Sequence, residues 1–299
     1  MTGHTSAVTP GTNAGALPDP ARAPASDMPL DLRLTLAEAS IRSKPAAAEL
    51  RWSLFQLLCV MGQWERALQQ LQVFAQLSPP QARPAQAYRD LIRAERWRAK
   101  AVAGRERPGF VFEAPSWVDG LINALRLDAN GEADAADTTR EAALDHAPLV
   151  AARSPQFLLE WISDSDSRFG PVCEIVTAGH YRWLPLSDIT AWQVERPSTL
   201  LDLVWAPCTL TLADGSTLRG FMPARYPGTE NAQASSSERD ALLLGHTTIW
   251  HETGRTRVIA LGQKTWTTNA GDMSLFDLAS CAFSNGVTKQ EPALQGGNR

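Results

Sequence analysis

The residues best suited to chemistry stand at 164–168, where Asp164, Asp166 and Arg168 alternate with serines in Asp-Ser-Asp-Ser-Arg. A calcium loop would use the two carboxylates, but it needs more oxygen ligands and a glycine at its sixth position, where this chain has Phe169. Paired carboxylates can share acid–base work if a cleft surrounds them. The simplest reading makes Asp164 and Asp166 caps for a helix entering at Pro171 and makes Arg168 their ion partner. Of the histidines, His246 and His251, beside Glu252, come nearest to a metal cluster, yet strand residues five apart point to opposite faces. No H-E-x-x-H, G-x-S-x-G, P-loop or dinucleotide fingerprint occurs. The expectation is no catalytic, metal or cofactor site.

The elements that would position these groups fall into two halves. In Glu49–Pro79, Leu50, Leu54, Leu57, Leu58 and Met61 recur at helical spacing. Gly62-Gln63 interrupts, and Trp64, Ala67, Leu68, Leu71 and Ala75 resume the spacing until Ser78-Pro79-Pro80. The order Gly62, Trp64, Ala67, Pro79 is similar to the second half of a tetratricopeptide repeat. The separations of five and twelve residues recur at Gly131, Ala136 and Pro148, offset by 69 residues, about twice the roughly 34-residue period. A first helix is expected from Leu30 to about Ser43. Another is expected over Pro84–Ala103, where Arg89, Arg93, Arg96 and Lys100 share one face. That basic stripe reads either as a solvated face, partly neutralised by Asp90 and Glu95, or as a docking strip for an acidic partner helix.

After Pro148 comes a short apolar run at Phe157–Ile162, and then a helix-like Val172–Ala178. From His180 onward the chain reads as strands, at His180–Leu186, Ile189–Glu195, Cys208–Leu212, Thr217–Met222, Thr247–His251, Arg257–Leu261 and Lys264–Thr268. Asp214-Gly215 marks a hairpin turn, and 229–240 reads as a polar loop. The fold class is therefore α+β: a tetratricopeptide-like helical domain over 30–150, followed by a compact, mainly antiparallel β domain over 151–285. A disordered arm is expected over 1–29 and a disordered tail over 286–299.

With 28 basic and 32 acidic residues in 299, the formal net charge of -4 gives no global reason to bind nucleic acid or a membrane surface. The N-terminal segment lacks a basic start and an apolar stretch, which points to the cytoplasm. The widely spaced Cys59, Cys173, Cys208 and Cys281 read as buried reduced thiols, which suits that compartment. The ten tryptophans read mainly as packing anchors.

Several long segments in one order resemble the ImpE/TagJ (SciE-type) family of type VI secretion accessory proteins. They are the hairpin from Lys44, Trp161 with Asp164-x-Asp166-x-Arg168-x-Gly170-Pro171, GHYRWLPLSDI, Asp202-Leu-Val-Trp205-x-Pro207, and Arg225-Tyr226-Pro-Gly-Thr-Glu230. The resemblance implies a non-enzymatic cytoplasmic component without cofactors. It also implies binding to the small sheath subunit TssB, through a helix near that subunit's N-terminus, and action alongside the ClpV ATPase that disassembles contracted sheaths. The residues leave two alternatives open. One is a tetratricopeptide-type scaffold or chaperone for another client. The other is an enzyme whose Asp164, Asp166, Arg168, Arg225 and Tyr226 gather in one pocket of the β domain.

Overall fold

The computed structural model describes residues 28–285. Nearly all of the arm expected over 1–29, and all of the tail expected over 286–299, lie outside them. The chain opens with α1 (Leu30–Ser43), α2 (Ala48–Val60), α3 (Trp64–Leu77) and the long α4 (Ala82–Val102). A two-residue strand β1 (Gly109–Phe110) precedes a second hairpin of α5 (Ser116–Ala129) and α6 (Ala133–His146).

The two hairpins are built alike. Gly62 and Gly131 take φ of +68° and +80°, a left-handed conformation that suits glycine at the end of a helix. Each closes its helix with the same pair of bonds. Gln63 N–H donates to the Leu58 carbonyl and Gly62 N–H to that of Cys59 (2.8 and 3.1 Å). In the second copy Glu132 donates to Leu127 and Gly131 to Asp128 (3.0 and 3.1 Å). Ala67 and Ala136, the small residues at the two crossings, are both fully buried. The repeat expected from spacing is thus present in backbone geometry.

The remaining chain forms β2 (Val150–Arg153), β3 (Leu158–Leu159), β4 (Ile162–Asp164), β5 (Val172–Thr177), β6 (His180–Pro185), β7 (Ile189–Val194), β8 (Trp205–Leu212), β9 (Thr217–Pro223), α7 (Ser236–Leu243), β10 (Thr248–Thr253), β11 (Arg257–Gly262), β12 (Thr265–Thr268), β13 (Gly271–Ser274) and β14 (Ser280–Asn285). A nine-stranded sheet runs β1-β6-β5-β9-β8-β7-β14-β2-β3. Smaller sheets pair β10 with β11 and order β13-β12-β4. Apart from the parallel β1–β6 pair, the pairings are antiparallel. The class is α+β, with helices first and mainly antiparallel sheets after.

Two expectations about local structure are corrected. Val172–Ala178 is not helical but forms β5, buried along its whole length. A strand covered on both faces loses the apolar–polar alternation that marks a strand in sequence, and its short apolar run then mimics a helix. The polar loop expected over 229–240 contains a 3-10 turn at Thr229–Asn231 and the start of α7. Ser235 and Glu238 form a reciprocal capping box there, the Ser-x-x-Glu signature of a helix start.

Burial on both faces of β5 follows from what each face meets. Val172 and Val176 point into a core shared with Leu54, Phe55, Leu58, Leu91, Ile92 and Leu121 of the helices. Cys173 and Ile175 point the other way, into a second core with Trp192, Leu210, Met222 and Trp266. Helices and sheet therefore share one apolar core across β5, with α4 lying against β6. The four cysteines are buried free thiols, and burial pushes Cys208 and Cys281 up to about 12. Among the described residues, no helix is long and apolar enough to cross a membrane.

Polar ties join the same halves. The Leu30 N–H donates to Asp240 Oδ2 (2.8 Å), so a side chain of α7 caps the start of α1. At the second hairpin, Asp137 of α6 accepts from the Arg255 N–H (2.7 Å) and the Thr256 hydroxyl (2.8 Å) in the β10–β11 turn. The Arg255 N–H first, then the Thr256 hydroxyl, hold the Asp137 carboxyl down at about 2.

Candidate functional site

Glu174 is the single carboxylate in the apolar strand β5, on the face that meets the helices, and it is buried there. Its oxygens accept from Arg98 Nε and Nη2 at 2.7 and 2.8 Å, from Lys264 Nζ at 2.6 Å and from the Tyr181 hydroxyl at 2.6 Å. Burial alone would raise its pKa, but Arg98 and Lys264 outweigh burial and hold the carboxyl well below the usual carboxylate range. Arg98 also donates to the Arg225 carbonyl (3.1 Å) and approaches Glu95 (3.5 Å). Glu95 takes a further bond from Trp205 Nε1 at 3.1 Å. Glu95 was expected to neutralise the exposed stripe of α4. It instead turns inward, toward the burial of Trp205 and Arg98.

The Asp-Ser-Asp-Ser-Arg turn extends this network. Lys264 Nζ lies 2.5 Å from Asp164 Oδ2. Asp164 Oδ1 accepts from the Asp166 N–H (2.9 Å) and lies 2.7 Å from the Tyr226 hydroxyl. Burial pushes Asp164 up to about 6 against the pull of Lys264, and the neighbouring Asp166 adds to the rise. Asp166 binds Arg168 Nε at 2.8 Å and accepts the Ala260 N–H of β11 at 2.9 Å. Arg168 is paired as expected. The aspartates do not cap a helix, because the chain entering Pro171 is a strand. They hold β11 and β12 against the turn.

Arg225 reaches the other way. Its guanidinium donates to the carbonyls of Val60, Cys59 (3.1 Å) and Leu243 (3.3 Å), closing the C-terminal end of α2. Asp202 Oδ2 accepts the N–H groups of Ser198 and Thr199, at 2.8 Å each, and so shapes the loop before β8. Trp205 stacks near Trp64 of α3, with ring centroids 5.8 Å apart. Trp161 is half-buried beside β4. Asp164, Asp166, Arg168 and Tyr226 are brought together. Arg225 donates elsewhere, and Asp202 and Trp161 have roles apart. The grouped side chains are buried and paired with one another and with the β11–β12 region, and through Lys264 they reach Glu174 and Arg98 of α4. No group of His, Cys, Asp and Glu suited to a metal ion occurs among the described residues.

No motif singles out Arg98, Glu174 or Lys264. Two of them nevertheless leave a trace in sequence. Glu174 is a lone charge in an apolar strand, and Arg98 falls seven residues after Leu91 on the buried face of α4. Charges in such places stay buried only when paired.

The opposite face of α4 carries Arg89, Arg93, Arg96 and Lys100. Arg93 pairs with Asp90 (3.0 Å), Arg96 with Glu65 (2.6 Å), and Lys100 lies 6.0 Å from the Trp97 ring. These are solvent-side contacts of the kind that contribute about 0–1 kcal/mol and exchange readily. Clefts flank the helix. One, of about 680 Å³, lies between α3 and α4 and includes Trp64, Arg96 and Lys100. A second, of about 390 Å³, lies between α4 and β6.

A buried ionic centre thus ties strands to helices beneath an α4 face that carries Arg89, Arg93, Arg96 and Lys100. A sequence model of the ImpE protein family matches residues 157–282. The type VI secretion system accessory component TagJ of Pseudomonas aeruginosa is 41% identical over 254 residues, covering 85% of this chain and 87% of that protein. The chain belongs to this ImpE/TagJ family. The crystal structure of protein VPA1032 from Vibrio parahaemolyticus has the same fold, with a TM-score of 0.77 at 23% identity, covering 85% of this chain and 94% of that one.

Proposed function

We propose that this protein is a non-enzymatic accessory component of a type VI secretion system, working in the cytoplasm as an adaptor. It binds the small, TssB-like sheath subunit through that subunit's N-terminal helix and modulates sheath assembly or ClpV-dependent recycling. The observation that carries this reading is 41% identity to an accessory component across 85% of the chain. The physical support is that the charged family-motif residues Asp164, Asp166, Arg168 and Arg225 are spent inside the core. One charged surface open to a partner is the α4 face with Arg89, Arg93, Arg96 and Lys100, bordered by Trp64 and the α3–α4 cleft, a shape suited to a helix laid in a groove.

The test is a pull-down with purified small sheath subunit, alone and paired with the large one. The wild-type protein should retain the subunit, and Arg89→Glu with Arg96→Glu and Lys100→Glu should lose it while keeping the native thermal unfolding. No retention under conditions where the sheath pair assembles would overturn the reading. Retention by the triple variant would move the contact away from α4.

A further inference from the structure

The cleft between α4 and β6 is a local reversal of charge on an acidic protein. Arg93, Arg107 and Arg182 line it together with His180, and no carboxylate lines it. The three arginines come from α4, from the loop before β1 and from β6, so the fold rather than one helix gathers them. Gly179, at φ +74°, makes this approach possible. A Cβ there would stand 3.1 Å from Asp90 Cβ and 3.2 Å from Arg93 Nη2, tighter than ordinary contact, so the side chains of α4 would have to give way by a few tenths of an ångström. Arg182 donates Nη1 to the Phe110 carbonyl (2.5 Å) and forms no ion pair with a carboxylate among the described residues. The pairs of Arg93 with Asp90 and of Arg107 with Asp119 are solvent-side and exchangeable.

Trp97 lies in the same cleft with 40% of its surface exposed. Its Nε1–H is committed to the Arg107 carbonyl at 3.1 Å, which orients the ring. An oriented, solvent-facing indole beside three guanidinium groups is the composition of a binding hot spot. From this we infer that the α4–β6 cleft binds an acidic peptide segment of a protein partner, its carboxylates on Arg93, Arg107 and Arg182 and an apolar or aromatic side chain on Trp97. A small inorganic anion would leave the indole uncovered. A nucleic acid would extend beyond the cleft onto a protein of net charge -4, where its phosphates are repelled. The volume of about 390 Å³ falls within the ~300–1,000 Å³ of ordinary ligand sites. The inference rests on the adaptor reading only in taking α4 as a docking element, and it places a second contact on the sheet side of that helix.

The test is selection of a displayed library of random short peptides on the full-length protein, followed by anisotropy titration of the labelled consensus peptide. The selected peptides should be rich in Asp and Glu around an aromatic or large aliphatic residue. Trp97→Ala and Arg182→Gln should each weaken consensus binding about tenfold or more, at unchanged thermal unfolding. Arg89→Glu, on α4 but outside the cleft, should leave it unchanged. Three results would overturn the inference: enrichment of neutral or basic peptides, binding that survives both cleft variants, or tighter binding of a single-stranded RNA oligonucleotide lost on Trp97→Ala. Failure of the sheath pull-down with peptide binding intact would remove the adaptor reading alone. The converse pattern would remove the cleft alone.

Discussion

The Arg98 guanidinium of α4 grips both carboxylate oxygens of Glu174 in β5, at 2.7 and 2.8 Å and across 76 residues of sequence, with both side chains almost wholly out of solvent. A bidentate pair of this kind fixes the distance and the rotation of helix against sheet. Removing one partner leaves a buried charge unpaired. Glu174→Gln should therefore lower the unfolding free energy by about 3–5 kcal/mol, read from urea unfolding. Replacing both ends, as Arg98→Met with Glu174→Leu, should cost less than the two single changes combined. Strict additivity of the two changes would show that the pair does not act as a unit.

The same carboxylate sets an acid limit. Glu174 is held below its unfolded value, which is about 4.3, so its stabilising contribution is present above that pH and lost as pH falls below it. Asp164 has the opposite sign. Raised to about 6, it favours the folded state when protonated, and that contribution disappears as pH rises from about 4 through 6. In thermal melts, Glu174→Gln should flatten the acid loss below about pH 4. Asp164→Asn should flatten the change between about pH 4 and 6 and leave the lower limb intact.

Arg225 should be a residue that lysine cannot replace. Its planar fork serves carbonyls of α2 and of α7 together, a geometry an ammonium cannot reproduce. Arg225→Lys should lose about 1–3 kcal/mol, with the C-terminal turn of α2 exposed to amide hydrogen exchange. Slow exchange retained there would deny the capping role.

How much of this was legible in sequence depended on the range of the interaction. The helical hairpins were readable because Gly62, Ala67, Gly131 and Ala136 act through neighbours a few residues away. The β8–β9 hairpin was readable because Asp214-Gly215 closes on itself, the Ser216 N–H meeting Asp214 at 2.9 Å. β5 reads as a helix in sequence because burial on both faces removes the alternation. The ionic centre was unreadable for a related reason. Arg98, Glu174 and Lys264 have meaning only once three distant segments meet, and at Glu174 the local sequence reports only an unexplained charge. The family motif located Asp164, Asp166, Arg168, Arg225 and Tyr226 without saying that they face inward.

The two repeat glycines offer a separate check on packing, since they share a backbone conformation but not an environment. At Gly131 an added methyl would meet nothing within 4 Å, so Gly131→Ala should cost only the left-handed strain, about 1–2 kcal/mol. At Gly62 the same methyl would stand 2.7 Å from Glu230 Cβ, in the loop that follows Tyr226. Gly62→Ala should therefore cost more than Gly131→Ala in the same melt, and Glu230→Gly should recover more of the difference than Glu230→Ala, because alanine keeps the Cβ at 2.7 Å and removes only the Cγ at 2.8 Å. Equal costs at the two sites would mean that the loop after β9 does not rest on the first hairpin. The joint between helices and sheet would then depend on the buried ions, the apolar core and the polar ties at Asp240, Asp137 and Arg225.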